Sequence, residues 1–310
     1  MQDVTTEEDS RLLLETAPIR EQLARAAVDL ISPHPPETQL LPGVHMYHRD
    51  TPLPPTGYFY EPSLAVILKG RKRVQLGESV FLYDASRFLL TSMHLPTTTE
   101  VLGASEQDPY VSVLIKLDLE IAREVLAEIE LHGVGDISPD SAMATGPATP
   151  EIFDLVRRTL DLCAYPGNPG YLWKILQREI IYRLLVGPMG ARFRQTVLLG
   201  TQSNKVAKAI NWLKDNYAQA IKVEELAALA GMGVSTFHHH FRAITSMSPL
   251  QYQKQLRLHE ARRLLLMEQA DAGTVAFRVG YESSTQFNRE YRRQFGQPPI
   301  RDVRTLMSVS

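Results

Sequence analysis

Cysteine is nearly missing: Cys163 is the only one in 310 residues. A lone thiol makes no internal disulfide, so the chain must be held by its core, as expected of a protein kept in a reducing compartment. Within "LVRRTLDLCAYPG" this thiol falls at helical spacing and reads as a small buried apolar residue. Long apolar runs are missing as well; none approaches the ~18 residues a membrane helix needs. The opening "MQDVTTEEDS" is acidic and lacks an apolar stretch, which predicts no signal peptide and a cytoplasmic protein. No P-loop, Gly-rich dinucleotide loop or nucleophile–base pair is visible, so no catalytic residue and no cofactor is assigned.

What the chain does have is enough apolar residue, 44% against 22% charged, to bury a core in each of two domains. Its formal charge of −2 hides a split. Residues 201–310 carry 15 Lys and Arg against 9 Asp and Glu, whereas residues 1–200 carry 18 against 26. A basic C-terminal third beside an acidic remainder suggests that one part meets a polyanion and the other does not.

The pattern of the first part changes midway. A helix is expected around "APIREQLARAAVDLI", stopped by "SPHPPET". Between 44 and 117, "LAVILKG", "RKRVQLGESVFLYD", "RFLLTS" and "YVSVLIKLD" read as short strands, with a hairpin turning at Gly77-Glu78-Ser79. Strands at this spacing suggest a sandwich or small barrel. From about 118 the period is helical, and 171–186 carries more apolar positions than one core face requires. Residues 191–203 read as a connector, and everything from 204 onward as helix and short turn.

That last part contains a repeat. "LAALAGMGVSTFHHHFRAITSMSP" and "VAFRVGYESSTQFNREYRRQFGQPP" align with Phe237 on Phe287, Phe241 on Tyr291 and Pro249 on Pro299. Each copy reads as a short helix, a Gly-containing turn and a second helix with aromatics four apart, the pattern of a helix-turn-helix. Aromatics at i and i+4 share one face and turn inward, leaving the polar residues of the second helix outside. His238, His239 and His240 lie on that helix. Successive helical residues are about 100° apart, so three adjacent imidazoles fan out, and no metal is assigned. His240 is expected to pack partly against its module. His238 and His239 face either DNA or solvent. Between the copies, Ser248, Pro249 and Gln251 mark the start of a helix running to about Met267. Such a rod of about 28 Å approaches the roughly 34 Å of one DNA turn. On it, Lys254, Arg257, Arg262 and Arg263 are either phosphate contacts or solvated charges.

At these residues ("VEELAALAGM", "STFHHHFRAITSMSPLQYQKQLRLHEARRLLL" and "TVAFRVGYESSTQFNREYRRQFGQPP") the chain resembles the AraC/XylS family of transcription regulators. The stretch "YEPSLAVILKGRKRVQLGESVFLYDASRFLLTSMHLPTTTEV" resembles the N-terminal sensor module of one branch of that family. The resemblance implies an α+β chain of two domains. Residues 1–195 would be a cupin-like β-barrel with flanking helices that binds an effector and dimerises. Residues 196–203 would be a linker, and 204–310 an all-α double helix-turn-helix. It also implies base contacts from Thr236, His238 and His239 in the first unit, and from Ser284, Gln286, Asn288 and Arg289 in the second. Arg242, Arg292 and Lys254 are the expected backbone contacts. Two departures stand out: Gly233 holds an N-cap usually filled by Ser, and His239 stands where the second copy has Arg289. Neutral His cannot form the bidentate fork by which Arg grips guanine.

The alternating strands nominate Tyr58, Tyr60, Val66, Leu68, Phe81, Tyr83, Leu90 and Met93 as lining an effector pocket, with plain core as the other reading. "GRKRV" (Gly70 to Val74) is a basic knot that either binds an anionic group or is a solvated turn. The partners expected are double-stranded DNA, an unidentified small molecule, a second copy of the chain through helices in 150–186, and RNA polymerase, with no membrane. Two alternatives stay open: a ligand-independent dimeric regulator, and a cupin-type metal enzyme with an appended DNA-binding module. The second would need His45, His48, His94 and Glu100 to converge. Three-residue spacing puts His45 and His48 on opposite faces of a strand.

Overall fold

The computed structural model describes residues 6–32, 40–129, 141–165, 167–198, 200–268 and 270–309. Its first element, α1 (Glu7–Ile31), starts earlier than the apolar periodicity indicates. The cause is a capping box: the Thr6 side chain accepts from the Asp9 amide, and Asp9 answers on the Thr6 backbone. The proline-rich stop lies mostly outside the described residues.

Among the described residues nine strands follow, in two antiparallel sheets. They are β1 (Val44–Arg49), β2 (Leu53–Tyr60), β3 (Ser63–Lys69), β4 (Arg71–Leu76), β5 (Ser79–Asp84), β6 (Arg87–Thr91), β7 (Leu95–Leu102), β8 (Tyr110–Lys116) and, after α2 (Leu119–Glu128), β9 (Met143–Pro147). One sheet runs β1-β8-β3-β6-β9 and the other β2-β7-β4-β5. The two pack face to face, the double-sheet arrangement to which cupins belong.

The five-stranded sheet is covered on both faces. Its outer residues, among them Met46, Leu64, Phe88 and Val113, form one core with α1, α3 (Pro150–Cys163), α4 (Gly170–Val186) and α5 (Gly190–Val197). Its inner residues, such as Ile67, Leu89 and Leu114, meet Tyr60, Val74, Leu76 and Tyr83 of the four-stranded sheet. Cys163 is half-buried at the end of α3, and burial pushes its thiol up to about 12.

The expected connector is a pinned corner. Helix α5 runs through Val197, and α6 (Gln202–Asp215) begins at once on its N-cap Thr201. Thr201 Oγ1 donates to the carbonyls of Gln195 and Leu198, while Asn204 Nδ2 donates to the Thr196 carbonyl at 3.2 Å. Positions 196, 197, 202 and 203, expected in a linker, are thus helical, and Leu198, Gly200 and Thr201 are the described residues between the two helices.

The remaining helices are α7 (Val223–Leu229), α8 (Val234–Thr245), α9 (Pro249–Glu268), α10 (Ala272–Arg278), α11 (Ser284–Phe295) and α12 (Pro299–Val309). Phe237, Phe241, Phe287 and Tyr291 are all 0% exposed, so the paired aromatics do face inward. The Ser248–Gln251 capping box starts α9 as read: the Ser248 amide donates to Gln251 Oε1 at 2.9 Å, and the Gln251 amide to Ser248 Oγ. The first helix-turn-helix, α7–α8, shares a continuous core with the interior of the sandwich. The second, α10–α11, forms a separate core with α12 and the far half of α9.

Candidate nucleic-acid interface

Helix α8 begins on Gly233 without a side-chain cap, whereas Ser283 accepts from the Gln286 amide at the start of α11. Beyond these starts the two helices present matching outer faces. Thr236, His238 and His239 are exposed on α8, and Gln286, Asn288, Arg289 and Arg292 on α11. Ser284 is half-buried in the first turn of α11. His239 and His240 rings lie 5.3 Å apart at 67°, and His240 turns toward the module, where burial lowers its pKa. Among the described residues no three His, Cys, Asp or Glu side chains gather as a metal would require.

The four cations of α9 separate by role. Arg257 donates to the Tyr217, Ala218 and Gln219 carbonyls and is a brace for the loop after α6. Arg262 grips Asp302 at 2.8 and 2.9 Å, and Asp302 also accepts from Tyr291 Oη at 2.8 Å. Arg263 pairs with Glu260. Lys254, among the described residues, pairs with no carboxylate. It lines a cleft of about 680 Å³ together with Arg242, Arg289 and Arg293. Arg293 is the member of this basic group that sequence reading missed. A search for outward positions on α11 could have found it. The opposite wall is the sandwich, through Gln75, Gly77, Glu78 and Thr97.

That wall belongs to a tight seam between the halves. The β4–β5 turn abuts the end of α8: a Cβ on Gly77 would stand 2.3 Å from the Ser246 carbonyl oxygen. Ser246 itself caps α8 with a left-handed φ of 57°. Tyr252 Oη donates to the His94 carbonyl at 2.6 Å, the Lys214 ammonium donates to His94 Nε2 at 3.0 Å, and the Ala142 amide donates to the Ile244 carbonyl at 3.0 Å. Phe59 of β2 sits between His94 and His259, 6.1 Å from each ring. Burial lowers His94 to about 4 and His259 to about 3, so both are neutral at pH 7. His259 Nε2 is sealed from solvent and unpaired.

The nominated pocket residues divide. Tyr58, Tyr60, Phe81, Tyr83 and Met93 belong to the interior between the sheets. Val66, Leu68 and Leu90 do not; they lie on the outer face of the five-stranded sheet, packed against the helices. The reason is that β3 is buried along nearly its whole length, so polarity gives no alternation to orient it. The basic knot is no solvated turn either. Lys72 shares the inward face of β4 with Val74 and Leu76, while Arg71 and Arg73 point out. Glu100 lies across from Arg73 at 2.7 Å, on the far side of β7 from the interior, away from His45 and His48 on β1.

Comparison with known proteins gives this architecture its place. Residues 40–192 match the family described as "AraC-type transcriptional regulator N-terminus", and 226–304 match "Helix-turn-helix domain". The transcriptional activator RhaS of Klebsiella pneumoniae (strain 342) is 28% identical over 181 residues, 56% of this chain and 63% of its own length. RhaS of Escherichia fergusonii is 31% identical over 133 residues, 42% of this chain and 46% of its own. The match thus spans about half to two-thirds of the length of these relatives. In fold, the chain is similar to ToxT of Vibrio cholerae O395, whose structure holds (E)-4-(8-methylnaphthalen-1-yl)but-3-enoic acid: TM-score 0.59, 9% identity, 86% of this chain and 100% of that one. With both modules present in this order, the chain belongs to the AraC/XylS family of regulators, N-terminal sensor module included.

Proposed function

We propose that the chain is a sequence-specific, DNA-binding regulator of transcription whose DNA-binding half, beginning after the 198–201 corner, is controlled by a small molecule held in the sandwich. The observation that carries this reading is the duplicated unit: two outward polar helices, α8 and α11, joined by the 20-residue rod α9. At 1.5 Å per residue that rod is about 30 Å long, matched to successive major grooves on one face of a duplex. Thr236, His238, His239, Ser284, Gln286, Asn288 and Arg289 read base edges; Arg242, Lys254, Arg292 and Arg293 hold phosphates. In the docked arrangement Arg242, Lys254 and Arg289 face the sandwich across the cleft, so the effector would act by changing how these heads are presented. RhaS relatives are named as activators, and ToxT carries a small molecule, which supports the same reading here. On this reading the protein acts on DNA without catalysis, in the cytoplasm where that DNA lies; no described helix is long and apolar enough to cross a membrane.

A second copy fits on α4. Tyr171, Leu172, Ile175, Tyr182 and Val186 are large, apolar and exposed along that helix, an unusual stripe for a surface that meets only water. Sedimentation should show a dimer that Ile175→Asp dissociates; a wild-type monomer at all concentrations would remove this part. RNA polymerase is the remaining partner of the proposal. The central test is selection of duplexes from a random library with the full chain. A recovered consensus with steep salt dependence is expected; absence of any preference at low ionic strength would overturn the reading.

A further inference from the structure

We propose that the mouth of the sandwich binds a small carboxylate with an apolar body, and that Lys72 is its counter-charge. The proposal rests on the effector reading above and narrows it to a chemical class. The starting point is the alternation of β4. Val74 and Leu76 are fully buried between the sheets, and Lys72 shares their face. In the register Lys72 stands between Tyr83 of β5 and Val101 of β7. Its stem is therefore directed inward by the strand and is half-buried, within reach of a solute at the rim.

Two strands, β1 and β2, bring three tyrosines around the ammonium. Lys72 Nζ lies 5.5 Å from the Tyr60 ring centre, 5.6 Å from Tyr58 and 6.0 Å from Tyr47. These distances are at the outer end of the cation–π range. Ring faces offer a quadrupole and no full negative charge, and among the described residues no carboxylate pairs with Lys72. The Tyr47 and Tyr58 hydroxyls meet at 3.1 Å, and the Tyr58 and Tyr60 rings pack edge to face at 4.7 Å. Deeper in, the Tyr60 and Tyr83 hydroxyls are sealed from solvent as neighbours, without a well-formed hydrogen bond. A buried donor in this condition is costly. The site thus offers one ammonium without a carboxylate partner beside phenol hydroxyls that can donate, so an anionic guest finds both a counter-charge and hydrogen-bond donors.

The count of cations selects the class. One lysine matches one negative charge; Arg71 and Arg73 on either side face outward, and Arg73 is already paired with Glu100. A phosphate dianion would call for a second inward cation. Tyr58, Phe81 and Met93 provide an apolar surround for the rest of the guest. A monocarboxylate with an aromatic or aliphatic body meets both demands.

The experiment uses the full chain and matched pairs of probes: benzoate with benzamide, phenylacetate with phenylacetamide, octanoate with octanamide, each at millimolar concentration. Thermal shift and calorimetric titration are read for wild type, Lys72→Gln and Tyr60→Phe. An acid is expected to bind where its amide does not, and Lys72→Gln to weaken it by about tenfold to a hundredfold, as loss of a charged hydrogen-bond donor does. The melting temperature of ligand-free Lys72→Gln should equal or exceed that of wild type, since an unneutralised charge is removed. Amides binding as well as acids, or acid binding unchanged in Lys72→Gln, would overturn the anion assignment while leaving an effector pocket. Silence from every acid and every amide would overturn both the assignment and the effector reading. DNA binding is scored separately by gel shift.

Discussion

Replacing Gly57 by alanine puts one methyl group into the seam between the sandwich and the second helix-turn-helix. The added carbon would stand 2.6 Å from Phe295 Cε1 and 3.0 Å from His259 Cε1, inside the ~3.5–4.0 Å of an ordinary carbon contact. Phe295 has little room to retreat. Its ring packs on Tyr291 at 4.6 Å and on His259 at 5.5 Å, and Arg262 covers it at 4.5 Å. Gly57 does not have a positive φ, so alanine suits its strand. Within the sandwich alone the change should be neutral, or stabilising by about 0.4–1 kcal/mol through the unfolded chain. Overpacking a formed contact costs about 1–3 kcal/mol, and here the cost falls on docking. That shifts the docked–undocked ratio by roughly five- to 150-fold. Small-angle scattering of the full chain should show a more extended particle, and protease should cut the 198–201 corner faster. DNA affinity should rise, because Arg242, Lys254 and Arg289 lose the facing wall. A scattering profile and cleavage rate identical to wild type would refute the reasoning.

The same seam should loosen with acid. His94 lies among Lys214, Lys116, Glu61 and Asp215, and His259 beside Arg262; burial dominates at both and depresses them to about 4 and about 3. Their undocked values lie near 6.5, so the undocked form binds more protons between the two limits. The docked state is fully favoured above pH 6.5 and loses on the order of 2 kcal/mol per histidine near pH 5. Scattering across that range should show the opening, and His259→Phe should flatten it; a compact particle at pH 5 would argue against this. Asp302→Ala strips the buried partner from Arg262 and Tyr291 and should destabilise the second helix-turn-helix by about 3–5 kcal/mol, visible as an early melting step; an unchanged melt would show the pair to be dispensable. His239→Arg should sharpen selection at one position of one half-site by about 1–3 kcal/mol; an unaltered selected consensus would place His239 off the bases.

Much of the DNA-binding half was legible because its signals are local. Aromatics four apart, a capping box and glycine turns act within one or two helical turns, and Phe237, Phe241, Phe287 and Tyr291 are buried as their spacing requires. The roles of Arg257 and Arg262 were not legible, since their partners lie about 40 residues away in sequence. Sheet orientation divided along physical lines. In β4 the outward positions are charged, so the inward set, Lys72 included, follows from the alternation once "RKRVQL" is read as strand. In β3 both faces are apolar because one meets the other sheet and the opposite one meets α1 and α3, so Val66 and Leu68 gave no sign of direction. The start of α1 was written in Thr6 and Asp9 but overshadowed by the acidic composition around them.

The division of cores gives the two reading heads unequal freedom. The first shares one core with the sandwich interior, while the second, with a core of its own at the far end of α9, touches the sandwich through the seam at Gly57. A tilt of about 10° in a lever about 30 Å long displaces its tip by about 5 Å, more than one base-pair step of ~3.4 Å. A change in the sensor too small to alter either head can thus alter the spacing at which the pair fits an operator, so control would be written in half-site separation while the letters each head reads stay the same.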